Sequence, residues 1–150
     1  MSRRAAIRLS PEEQEAFLGE TRKASLATID QDGFPHVVAM GFVAKDGALY
    51  MTSYAKAQKV LNIRRNPQVG VMIETGDHYA EYRGVMIRGR CEIVDETPEV
   101  AAIMQMSMAK EGEESTPRGD ALSRAPKRVG LKIIPEKIAT WDHTKLGGNY

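Results

Sequence analysis

Met51-Thr-Ser-Tyr-Ala-Lys-Ala-Gln-Lys-Val-Leu-Asn-Ile-Arg-Arg-Asn-Pro67 changes its period in mid-course, and that change decides how the rest of the chain is read. Its first part continues an alternation in which Leu49, Met51 and Ser53 share one face and Tyr50 and Thr52 the other, the period of a strand. From Ala55 the period becomes helical. Ala57, Val60, Leu61 and Arg64 fall three or four apart, and Asn66-Pro67 stops the helix because the residue before proline disfavours α geometry. Lys56 and Lys59, three apart, are expected on one face of its first turns, where free backbone N–H groups already favour an anion. A solvated basic helix would account for the lysines alone. The hydroxyls of Thr52 and Ser53, at the strand end facing them, are what point to a phosphate.

Upstream, Ser10-Pro11-Glu12-Glu13 is a helix start, with Ser10 as N-cap, Pro11 at the first helical position and Glu13 closing a capping box. This helix is expected to end near Gly19. Residues 23–29 alternate as a strand, Asp30-Gln31-Asp32-Gly33 turns, and residues 35–43 read as one long strand with both faces largely apolar and covered. His36, Val38, Met40 and Phe42 share one of those faces. Lys45-Asp46-Gly47 then closes a hairpin onto residues 48–53.

Downstream, residues 68–73 form a short strand, and a turn at residues 74–77 leads to Tyr79 and Tyr82. Residues 84–94 form a long strand with Arg88, Arg90 and Glu92 on its polar face and Val85, Ile87, Cys91 and Ile93 on its apolar face. A helix carrying Val100, Ile103, Met104 and Met108 follows, its methionine stripe facing the core. Residues 111–126 are expected to be a mobile loop with a turn of helix at 121–124. Residues 127–134 and 137–141 are read as two last strands joined at Pro135-Glu136. Seven or eight short strands with one inserted helix favour a small antiparallel barrel in a mainly β (α+β) fold. The links are too short for crossover helices.

The chain has 150 residues, 42% hydrophobic, enough for one domain with a real core. A net charge of +1 offers no broad field for nucleic acid or an acidic membrane, so any anion is bound locally. No segment approaches a membrane span, the first ten residues lack a signal-peptide run, and the single Cys91 forms no internal disulfide. A cytoplasmic protein is expected. His36, His78 and His143 show no metal-ligand spacing, and P-loop, GxGxxG and GxSxG motifs are absent.

Four runs then fall in a telling order: residues 24–30 (ASLATID), 32–36 (DGFPH), 58–67 (QKVLNIRRNP) and 82–89 (YRGVMIRG). Together they resemble the flavin and deazaflavin split β-barrel proteins related to pyridoxamine phosphate oxidase. The ending at residues 141–147 (WDHTKLG) is similar to an actinobacterial branch that uses the deazaflavin coenzyme F420. The resemblance covers residues 10–147. It implies a dimeric split barrel of the FMN-binding type, a homodimer with two cofactor sites at the subunit interface. It also implies hydride transfer from reduced F420 to a planar conjugated or electrophilic small molecule, with FMN as the alternative cofactor and a non-catalytic carrier as a further alternative. Carried over by position, Lys59 is the basic phosphate anchor, Thr52 and Ser53 donate to the phosphate, and Lys56 supplements them. Many relatives carry an arginine where this chain has Ala57. His36, Val38 and Met40 mark the strand along the ring edge, Tyr79 packs on the cofactor from the partner subunit, and Arg64, Arg83, Arg88 and Arg90 are available for an acidic coenzyme tail. Trp141 is read as a core aromatic, and no general acid is identified.

Overall fold

The computed structural model describes residues 1–112 and 121–149. Seven antiparallel strands make one curled sheet: β1 (Lys23–Ile29), β2 (Pro35–Gly41), β3 (Val43–Lys45), β4 (Ala48–Tyr54), β5 (Gln68–Thr75), β6 (Arg83–Val94) and β7 (Arg128–Asp142), in the order β2-β1-β5-β6-β7-β4-β3. Among the helices, α1 (Arg3–Ala6) and α2 (Pro11–Glu20) precede the sheet, α3 (Gln58–Arg65) sits between β4 and β5, and α4 (Thr97–Glu111) and α5 (Ala121–Arg124) lie between β6 and β7. The fold is a split β-barrel with a few helices, as the sequence led us to expect.

The expected strand over residues 35–43 is in fact two. β2 and β3 occupy opposite edges of the sheet, yet only Phe42 separates them. Consecutive Cα atoms are about 3.8 Å apart, so the sheet must curl until its edges meet at this residue. Phe42 is 2% exposed, and its N–H donates to the Arg22 carbonyl at 3.2 Å. Lys110, near the end of α4, donates to the Phe42 carbonyl at 3.3 Å and to the Leu18 carbonyl at 3.0 Å, with its ammonium 4.3 Å from the Phe42 ring centroid. Burial, and then the neighbouring Arg22, hold the Lys110 pKa below the usual lysine range.

The two last expected strands are instead one, β7, with an irregularity opposite Arg88 and Gly89. Gly89 pairs with Pro135 and Arg88 with Lys137, so Glu136 is the extra residue of a bulge. Proline lacks a ladder donor, and the bulge carries the strand past it. The capping box of α2 is present, with Ser10 and Glu13 each accepting from the other's backbone. Asp46 and Gly47, at φ 51° and 79°, make the two-residue hairpin loop between β3 and β4. The turn of helix expected at residues 121–124 is α5, while α4 extends through residue 111; the rest of the expected loop, residues 113–120, lies outside the described residues.

The core lies inside the barrel, around Phe17, Leu26, Met51, Val60, Ile73, Ile87, Leu131 and Ile133. A smaller cluster of Val100, Ala101, Met104, Ala121 and Ala125 seats α4 and α5 on the other side of the sheet, where Met108 is only half-buried. There a Cβ on Gly130 would stand 2.5 Å from Ile103 Cδ1 and 3.1 Å from Val94 Cβ, so glycine lets α4 lie close to β7. We expect Gly130→Ala to lower unfolding stability by about 1–3 kcal/mol in a denaturant titration, as overpacked sites do. Inside the barrel, burial reinforced by Glu92 pushes the Cys91 thiol up to about 12. Native protein should therefore resist a thiol reagent at pH 8 and react only when denatured; rapid labelling of folded protein would contradict this placement.

Candidate functional site

Helix α3 begins at Gln58 rather than Ala55 because residues 55–57 first turn the chain out of β4. Lys56 is therefore exposed on that turn, outside the helix, and only Lys59 stands in the first helical turn. Ala57 is the N-cap and has no side-chain acceptor, so the first N–H groups of α3 receive no side-chain cap. Lys59 is half-buried and donates to Ser53 Oγ at 3.3 Å, while that hydroxyl donates to the Tyr54 carbonyl at 3.2 Å.

Thr52 does not join them. Strand alternation puts it on the opposite face of β4, paired with Gly130 beneath α4. The expectation that Thr52 and Ser53 together face the lysines is thus corrected to Ser53 alone. The β4–β7 pairing also brings two cations from far along the chain to this strand end, Arg128 on the face shared by Thr52 and Tyr54. Tyr54 pairs with Arg128, whose guanidinium lies 4.2 Å from the Tyr54 ring centroid, and Ala55 N–H donates to the Lys127 carbonyl. Arg128 Nε is buried without a hydrogen-bond partner. Lys56, Lys59, Lys127 and Arg128 thus gather where β4 meets α3, and among the described residues none has an ion-pair partner.

Behind the first turn of α3 lies a buried polar set. Asn62, fully buried, donates to Thr28 Oγ1 at 3.0 Å and accepts from Gln58 Nε2 at 2.8 Å. Thr28 pairs across the sheet with His36, whose Nδ1 is buried without a partner. Val38 and Met40 follow on the same face and pack against the barrel core. The opposite face is not covered within this chain: Val37 is 61% exposed and Ala39 is exposed too. β2 is also an edge strand, so half of its backbone donors and acceptors lack a ladder partner.

Tyr79 is elsewhere. It stands on the turn before β6, with its ring 4.5 Å from that of His143 and 5.9 Å from that of Tyr82. The 12 residues of β6 lie between it and the Val94–Gly130 pairing beside the lysine cluster, roughly 35 Å of strand. Trp141 is likewise not a core residue, because its position pairs with outward-facing Gly84 and its Nε1 donates to Glu74 at 2.8 Å. Arg64 pairs with Asp95, Arg83 with Glu20 and Asp142, and Arg90 with Glu136, leaving Arg88 as the one expected tail arginine without an ion pair among the described residues. No group of three or more His, Cys, Asp or Glu among the described residues could hold a metal ion, and no described helix is long and apolar enough to cross a membrane.

A family model described as pyridoxamine 5'-phosphate oxidase matches residues 10–142, nearly the whole fold. The chain belongs to the pyridoxamine 5'-phosphate oxidase family. Several solved structures are similar to the chain. Conserved hypothetical protein Rv2991 from Mycobacterium tuberculosis is 34% identical with a TM-score of 0.89, over 100% of this chain and 95% of that one. A protein described as an F420 reductase is 27% identical with a TM-score of 0.71, over 87% and 98%. A FAD-binding protein from Mesorhizobium loti is 25% identical with a TM-score of 0.67, over 88% and 94%. No curated protein matches the chain. The likenesses support an oxidoreductase-type family that binds flavins or deazaflavins.

Asn62 was not singled out by the sequence reading, and its burial makes a separate prediction. Asn62→Ala would leave Thr28 and Gln58 without their partner, and we expect a loss of about 1–3 kcal/mol in unfolding free energy. An unchanged midpoint would show that water replaces the amide.

Proposed function

We propose that the protein is an F420-dependent oxidoreductase that delivers a hydride to a planar conjugated or otherwise electrophilic small molecule. The observation that carries this reading is the cluster of Lys56, Lys59, Lys127 and Arg128, four cations without carboxylate partners among the described residues, beside an uncapped helix start. Its donors fit a phosphate: Lys59 supplies a half-buried charge already oriented by Ser53, and the first N–H groups of α3 add partial positive charge. When bound, the deazaflavin supplies the hydride chemistry. His36, Val38 and Met40 sit in the hydrogen-bonded pairs with β1, so on edge strand β2 the free backbone groups suited to the polar edge of the deazaflavin ring system are those of Val37 and Ala39 between them. A solvent proton suffices where the product anion is resonance-stabilised, so the reading asks for no side-chain acid.

The same reading makes the protein a homodimer with cofactor sites between subunits. Phe34 and Val37 are 69% and 61% exposed beside and on edge strand β2, and a second copy would cover them. Tyr79, too far along β6 to reach its own Lys59, could approach only the site of the other subunit. A second reading, an FMN-dependent oxidoreductase of the same fold, is supported by the likeness to the FAD-binding protein.

The test is calorimetric titration of purified protein with F420 and, separately, with FMN. We expect preferential binding of F420, weakened about 10- to 100-fold by Lys59→Ala, the loss expected for one charge-assisted hydrogen bond of about 1.5–3 kcal/mol. Preference for FMN would move the protein to the second reading. Binding unaffected by the substitution would remove Lys59 from the site.

A further inference from the structure

Strand β7 loses one of its two neighbours halfway along. Its pairing with β4 ends where Ile133 meets Leu49, while its pairing with β6 continues to Asp142. Two bonds fix which way the second half of β7 presents its backbone. His143 N–H donates to the Tyr82 carbonyl on the β6 side, and Asp142 N–H donates the other way, to the Ile7 carbonyl at 2.7 Å. In an antiparallel ladder both backbone groups of every second residue point to the same side. The N–H and C=O of Ile138 therefore point away from β6, as Asp142 N–H does. Among the described residues neither has a partner across the gap, because β4 has already ended and the N-terminal segment reaches only Thr140 and Asp142.

The gap is a pocket of about 570 Å³. Leu49, Ile87 and Ile138 form its apolar floor, and Ile138 is 39% exposed although it pairs with fully buried Ile87. The β3–β4 hairpin walls one side. Helix α2 roofs the pocket with Pro11, Gln14, Glu15, Leu18 and Gly19, positions that share one helix face. The pocket is separate from the lysine cluster, since Ala48 at its wall and Ser53 at the cluster are five residues apart on β4, roughly 17 Å.

An unpaired N–H and C=O from one extended residue are matched by the same two groups of another, which is how antiparallel strands exchange bonds. Directly paired residues put their side chains on one face. The partner of Ile138 would thus lay its side chain on the apolar floor. We propose that this pocket binds a short apolar peptide in extended form, one residue of which exchanges both backbone hydrogen bonds with Ile138 and rests its side chain on Leu49 and Ile87. The proposal holds whichever cofactor the protein takes.

The test titrates N-acetyl-L-leucine N-methylamide into the full-length protein and follows amide NMR spectra. The Ile138 amide should shift downfield and Gly19 should shift with it, while the amides of α3 stay in place. The analogue methylated on the leucine nitrogen cannot donate to the Ile138 carbonyl and should bind about 10-fold more weakly, the loss expected for one hydrogen bond. Gly19→Phe should abolish binding by filling the pocket from α2, where an added Cβ meets nothing within 4 Å, and Gly19→Ala should bind like the parent. The proposal is overturned if Ile138 does not shift, if the methylated analogue binds equally well, or if folded Gly19→Phe still binds. It is also overturned if Gly19→Phe breaks a dimer in light scattering, for then a second copy fills the pocket. Should that variant fail to fold, the comparison of the two probes still decides.

Discussion

A single residue joins the two edges of the sheet, and much of the architecture follows from that. With β2 and β3 at opposite edges and only Phe42 between them, an open, flat arrangement of these seven strands is excluded. The tie would be weak if it were only covalent. It is reinforced by burial of the Phe42 ring, by the Arg22 carbonyl on its N–H and by the Lys110 ammonium on its carbonyl and ring face. Lys110 arrives from α4 and also reaches the last turns of α2, so one half-buried cation ties two helices to the seam. Ammonium groups bonded to carbonyls in a partly desolvated place are stronger than their exposed counterparts, though burial also lowers the charged population at high pH.

The seam marks the limit of what alternation can tell. His36, Val38, Met40 and Phe42 keep one phase, so the pattern reads as one strand although the chain leaves the sheet and re-enters it at the other edge. Period reports which way side chains point; it does not report which neighbour the backbone bonds to. The same blindness merged differently at the C-terminal end. There Pro135 looked like a break, yet β7 passes it by a bulge. Local chemistry was more legible: the Ser10–Glu13 capping box, the Asp46-Gly47 turn and the polar face of β6 all follow from neighbours a few residues apart.

At the candidate site the legible part was Lys59 with Ser53, six residues apart across one turn. Thr52 was misjudged because adjacent strand residues face opposite ways, and α4, which claims its side of β4, comes from much later in the chain. Lys127 and Arg128 carried no local signal, since only the β4–β7 pairing places them beside Tyr54. Trp141 was read as core by residue type; its pairing with Gly84 shows that the indole fills a gap on the outer face.

Charge completes the argument. A net charge of +1 conceals an uneven distribution, because among the described residues certain carboxylates are spent on particular bases: Asp95 on Arg64, Glu20 and Asp142 on Arg83, Glu136 on Arg90, and Glu13 on Lys145. The solvent-exposed ones, such as Arg64–Asp95 and Arg90–Glu136, add little stability, about 0–1 kcal/mol each, so leaving other cations unpaired sacrifices little in folding. It matters for binding. An anion arriving among Lys56, Lys59, Lys127 and Arg128 meets charges that have no ion-pair partner to give up among the described residues, held by a strand, a helix start and a rigid barrel wall. Little reorganisation then opposes the new charge-assisted bonds.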